Sequence, residues 1–122
     1  MDGTGLTKIA AQAVEPSWSP DGQQLAFRQR TGPSRADVVI ANADASNPRV
    51  LTADLSDSHM LPSWSPDGKT IASLSWSSAQ NIDFTEVATG STRRFLARGF
   101  PDVPVSFSWS PDSRKLVYLE SE

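Results

Sequence analysis

Short runs of alternating apolar and polar residues dominate the chain. In an extended segment, Pro16 and Trp18 fall on one side and Ser17 and Ser19 on the other. Leu25-Ala26-Phe27 follows, with Leu25 and Phe27 sharing a face. Helical periodicity is nowhere sustained, so the pattern predicts short strands joined by turns.

The run is one of three. Trp18-Ser19-Pro20-Asp21-Gly22, Trp64-Ser65-Pro66-Asp67-Gly68 and Trp109-Ser110-Pro111-Asp112-Ser113 recur at steps of 46 and 45 residues. Seven residues after each Trp comes Leu25, Ile71 or Leu116, opening Leu25-Ala26-Phe27, Ile71-Ala72-Ser73 and Leu116-Val117-Tyr118. Asp37-Val38-Val39-Ile40-Ala41 corresponds to Asn81-Ile82-Asp83-Phe84-Thr85, and Arg49-Val50-Leu51 to Arg93-Arg94-Phe95, with Thr7-Lys8-Ile9 as an earlier relative.

Turn chemistry separates the strands. In Ser19-Pro20-Asp21-Gly22 the Pro ring presets φ near −65°, Asp suits the second central position, and Gly accepts the left-handed conformation that follows. Further hairpins fall at Asp44-Ala45-Ser46-Asn47 and Thr89-Gly90-Ser91, with Asp2-Gly3-Thr4-Gly5 as an N-terminal counterpart. The aspartates Asp21, Asp67 and Asp112 have a turn role to fill before any catalytic one. A four-stranded unit recurring at this period predicts an all-β fold, a β-propeller of antiparallel blades, each Trp packing between blades.

The run Pro-Ser-Trp-Ser-Pro-Asp-Gly at 16–22 and 62–68, continued by Leu-Ala-Phe or Ile-Ala-Ser and by Pro-Arg-Val-Leu-Thr at 48–52, resembles the TolB-like propeller repeat, a relative of the WD-repeat propellers. Ser113 departs from that pattern by replacing the turn Gly, and Ser73 by standing where Phe27 and Tyr118 stand, which removes apolar volume from the second blade.

The expected register gives a last strand of a preceding blade in 1–10 (Leu6 to Ala10), a blade in 14–52, a blade in 60–97 and the first two strands of a further blade in 105–122. Propellers close with about four to eight blades. This chain is therefore expected to be part of a longer propeller, or to form a homodimer whose head-to-tail copies complete a ring.

Composition narrows the chemistry. With 11 Lys and Arg against 14 Asp and Glu, a net charge of −3 and no cysteine, the chain lacks thiolate chemistry and a concentrated basic face for nucleic acid. Its longest nearly apolar stretch, Val38 to Ala41, is far short of the ~20 residues of a membrane helix, and Met1-Asp2-Gly3-Thr4 is not a secretory signal start. No membrane insertion and no cofactor are expected. One His, in Asp54-Leu55-Ser56-Asp57-Ser58-His59, gives no strong metal set and reads as a surface loop. No Gly-x-Ser-x-Gly elbow occurs.

The spacing from the second hairpin to the next Trp grows from 16 to 20 and 21 residues, whereas Trp to second strand is constant. Insertions thus collect in fourth-to-first-strand connections, which share a propeller face with the second-to-third-strand connections. The expected partner face comprises Asp57, His59, Phe100 and Asp102 with Arg28, Arg30, Arg35 and Trp76. The three arginines either grip carboxylate or phosphate with their planar forks or are solvated loop charges. Trp76 either contacts a partner or packs on a blade.

The resemblance implies a non-enzymatic module that docks a protein or peptide partner, in the periplasm. The alternative is the substrate-gating propeller of a prolyl-oligopeptidase-like peptidase whose hydrolase domain lies elsewhere. A polysaccharide-acting or metal-dependent enzyme using the propeller face is a third reading, weakened by the single His.

Overall fold

The computed structural model describes residues 10, 12–53, 57–76, 80–96 and 104–120. Among them are ten strands and no helix. Strands β1 (Ala13–Trp18), β2 (Gln24–Gly32), β3 (Arg35–Asn42) and β4 (Arg49–Val50) form one antiparallel sheet in the order β1-β2-β3-β4. Strands β5 (Ser58–Trp64), β6 (Thr70–Trp76), β7 (Gln80–Glu86) and β8 (Thr92–Leu96) repeat it, and β9 (Pro104–Trp109) pairs with β10 (Leu116–Glu120). These are two four-stranded blades and part of a third. Of the expected strand Leu6 to Ala10, all but Ala10 lies outside the described residues.

Each first hairpin is built by the same side chains. Ser19 Oγ donates to Asp21 Oδ1 at 2.6 Å, the Gln23 amide donates to the same carboxylate, and the Gln24 amide donates to Ser19 Oγ. Ser65 with Asp67, and Ser110 with Asp112, reproduce these bonds. Accepting them holds Asp21, Asp67 and Asp112 below the ordinary carboxylate pKa, the Ser hydroxyl contributing most.

The third hairpin keeps the shape of the others although it lacks Gly, with Ser113 at φ 62° beside 71° at Gly22 and 74° at Gly68. Ser113 Oγ also accepts the Asp67 amide at 3.0 Å, linking the turns of neighbouring blades. Ser113→Gly should relieve about 0.5–1 kcal/mol of strain and lose a hydrogen bond of similar worth. Urea unfolding is expected to find it within about 0.5 kcal/mol of the parent, and Ser113→Ala, which keeps the strain and loses the bond, about 1 kcal/mol less stable. A Gly variant more stable by a full kcal/mol would show that the inter-turn bond contributes nothing.

Blades stack through the Trp at the end of each first strand. Trp64 is 8% exposed and joins Ile71 of its own blade to Ala26, Val38, Ile40 and Leu51 of the first. Trp109 meets Phe84 edge-on at 5.7 Å, and its Nε1 donates to the Ser63 carbonyl of the second blade at 3.1 Å. Trp18 departs from the expected burial, being 59% exposed. The reason is directional: Trp64 and Trp109 each pack on the blade before their own, and among the described residues no blade precedes β1. Val117 and Leu119 are also exposed, at the other end of the stack.

Candidate functional site

The β2–β3 turn and the β4–β5 connection meet at one edge of the first two blades. The Ala36 amide donates to Ser58 Oγ, which in turn donates to the Ser34 carbonyl. Strands β2 and β3 are longer than the sequence pattern implied, so Arg28, Arg30 and Arg35 lie in the strands flanking a short Pro33-Ser34 turn and not in a long connection. His59 lies in β5 and is fully buried, which corrects its reading as a surface-loop residue.

A buried polar network occupies the second blade where it faces the first. His59 Nε2 lies 2.9 Å from Asp83 Oδ2, and its Nδ1 lies 3.0 Å from the Asp57 carbonyl. Arg94 forks onto Asp83, from Nε at 2.9 Å and Nη2 at 3.0 Å, and Nη2 also donates to Asp57 Oδ2 at 2.6 Å. Both His59 ring nitrogens therefore face oxygen atoms.

A second network lies in the first blade. Arg35 grips Asp37 with Nε at 2.8 Å and Nη2 at 2.9 Å, and Thr31 and Thr52 donate their hydroxyls to the same carboxylate. Thr52 Oγ1 also accepts the Val38 amide, and its carbonyl accepts Arg35 Nη2. The hydrogen bond from Arg35 to Asp37 raises the Arg35 pKa against burial, and the charges of Asp37 and Asp57 reinforce it. Asp57 thus acts on an arginine of each blade.

The carboxylates stay ionised although buried. Burial alone pushes the Asp83 pKa up, but the bonds from His59 and Arg94 and their charges outweigh it, and the group titrates at about 2. Asp37 is lowered in the same way, by Arg35, Thr31 and Thr52 against burial. Arg94 is raised, chiefly by Asp83. With 39% of its side chain exposed, Arg94 forms the outer rim of an acidic interior, as does Arg35 at 33%.

Of the residues singled out from sequence, Arg35, Asp57 and His59 are brought together here. Asp57 and His59 are buried, which corrects the expectation that they are presented on a surface. Arg28 reaches Glu15 Oε1 at 3.5 Å, while Arg30 donates to the carbonyls of Gly32 and Pro33. Trp76 ends β6, its side chain outside the description, and Phe100 and Asp102 lie outside the described residues.

Asp37, Asp83, Arg94 and Glu15 were missed. Glu15 stands at a bulge in β1 with φ 59° and accepts the amide of Leu61, its counterpart at φ 53° in the β5 bulge, at 2.8 Å. Strand pairing matches Asp83 to Val39 and Arg94 to Val50 of the first blade. That charged pair at apolar positions of the repeat was the available signal.

No family model matches the chain, and no curated protein matches it. Solved structures do match. TolB from Acinetobacter baumannii is 21% identical with a TM-score of 0.68 over 85% of this chain and 25% of that one. A protein assigned as TolB from Agrobacterium tumefaciens is 21% identical, with a TM-score of 0.75 over 92% and 40% respectively. An oligogalacturonate lyase in complex with manganese is 20% identical, with a TM-score of 0.69 over 90% and 30%. The chain spans between 25% and 40% of the length of these structures. Its fold is that of a TolB-like β-propeller.

Proposed function

We propose that this propeller segment is a protein-interaction module whose partner face is formed by the β2–β3 turn and the β4–β5 connection. One observation carries the reading: Asp57, in the connection between blades, bonds Arg94 of the second and acts on Arg35 of the first, so the face is set rigidly before any partner arrives. The TolB neighbours lend the fold-level analogy. The exposed apolar ends, at Trp18 and at Val117 and Leu119, are surfaces for further propeller blades.

The lyase neighbour favours a second reading, the propeller part of an enzyme. Among the described residues no group of three His, Cys, Asp or Glu side chains is arranged to hold a metal ion. His59, Asp57 and Asp83 are instead committed to Arg94 and to each other. These residues do not fit a manganese site.

Substitution at each edge of the blades separates the propeller faces. Arg28→Ala with Arg30→Ala and Trp76→Ala should weaken a partner at least about tenfold in a binding titration, a loss typical of one interface hot spot. Asp21→Asn, on the opposite face, should leave binding within about twofold. The reverse pattern would move the site to the Asp-Gly turns.

A further inference from the structure

A groove of about 430 Å³ opens beside the β2–β3 turn, lined by Arg28, Arg30, Arg35, Pro33, Ser34 and Ser58 among others, with no Asp or Glu in its wall. Three guanidinium groups thus converge in a chain of net charge −3. They are not equivalent. Arg35 is neutralised by Asp37, and Arg28 reaches Glu15 only at 3.5 Å. Arg30 is exposed and donates from Nε and Nη2 to the carbonyls of Gly32 and Pro33 at 3.2 and 2.8 Å. Carbonyls fix the guanidinium plane over the turn without cancelling its charge, and among the described residues no carboxylate pairs with Arg30. A held, uncompensated fork beside a half-compensated one is suited to bidentate recognition of carboxylates.

We propose that this groove binds an acidic segment of a protein partner, its Asp or Glu carboxylates gripped by Arg30 and Arg28. The inference rests on the reading of this face as the partner surface and adds the chemistry of what it takes. The groove's size argues for a peptide over a lone anion, since one carboxylate or phosphate fills only a small part of it. Pro33 and the exposed Val14 add apolar wall, which the aliphatic stems of acidic side chains can cover and an inorganic ion cannot. Nucleic acid needs a broader basic surface than this acidic chain carries.

The test is fluorescence anisotropy of a labelled hexa-aspartate peptide with the full chain at low salt, thermal melts confirming that each variant folds. Arg30→Gln, which breaks only bonds within its own turn, should weaken binding about tenfold, and adding Arg28→Gln should weaken it further. Arg114→Gln removes the same charge on the opposite face and should change binding by less than about twofold. Equal losses at Arg30 and Arg114 would show attraction to overall charge and overturn the proposal. Displacement by an equal concentration of inorganic phosphate would identify a small-anion site and overturn it too, as would failure of the peptide to bind. Failure of the peptide while the Arg28, Arg30 and Trp76 substitutions still abolish partner binding would reject the acidic chemistry and leave the face reading standing.

Discussion

Trp64→Ala is expected to destabilise the protein by about 3–5 kcal/mol, and Trp18→Ala by less than about 1 kcal/mol, although both residues stand at the same position of the repeat. Trp64 fills the space between two blades, touching the Ala26, Val38, Ile40 and Leu51 cluster, so its removal leaves a cavity that strands on both sides cannot close. Trp18 is 59% exposed and leaves little behind. Among the described residues the Trp64 Nε1 donates to no acceptor, so the loss is one of packing. Trp64→Phe should therefore recover most of the stability. Chemical denaturation followed by the fluorescence of the three tryptophans that each variant keeps reads all of them. Equal effects at Trp18 and Trp64 would contradict directional stacking of each Trp on the blade before it.

Asp83→Asn should cost about 3 kcal/mol at neutral pH, because it leaves His59 and the inner nitrogens of Arg94 buried against a neutral amide. The cost should fade in acid. A carboxyl held at about 2 in the folded protein, against an ordinary 3.8, gives stability that is fully present above the higher value and is lost as pH falls towards the lower. The gap between parent and variant should narrow by about 2 kcal/mol between pH 5 and pH 2. A gap independent of pH over that interval would mean that Asp83 acts through shape alone. The first blade has Val39 and Val50 at the positions of Asp83 and Arg94, which shows that an apolar pair also fits this place in the fold.

The fold was legible because its punctuation is local. Trp64 with Pro66, Asp67 and Gly68 specifies a strand end and a left-handed turn within five residues, and the spacing of three such runs gives the blade. Even Ser113 obeys, since the Ser110 and Asp112 side chains hold the turn whether or not Gly completes it. The polar interior was not legible in the same way. Ser73, Ser75, Asp83 and Thr85 alternate with Ala72, Leu74, Ile82 and Phe84 as a solvent face would. In a stacked blade both faces are covered, so alternation there distinguishes two neighbours instead of core from water. The partners of Asp83 are 24 and 11 residues away, His59 and Arg94, beyond the reach of any local pattern. Asp57 was expected at the surface and is buried, because its carboxylate is drawn inward to Arg94, 37 residues away.

The partner face itself is best tested by photo-crosslinking in cells, with benzoylphenylalanine placed singly at Ser34 or Ala53 on the edge joined by Asp57, or at Gln23 or Ala88 on the opposite edge, all four positions being exposed. Ser34 and Ala53 should capture one and the same protein, with no adduct of that protein from Gln23 or Ala88. Capture of a common partner from Gln23 and Ala88, with none from Ser34 or Ala53, would place the binding surface on the Asp-Gly turns and contradict the reading.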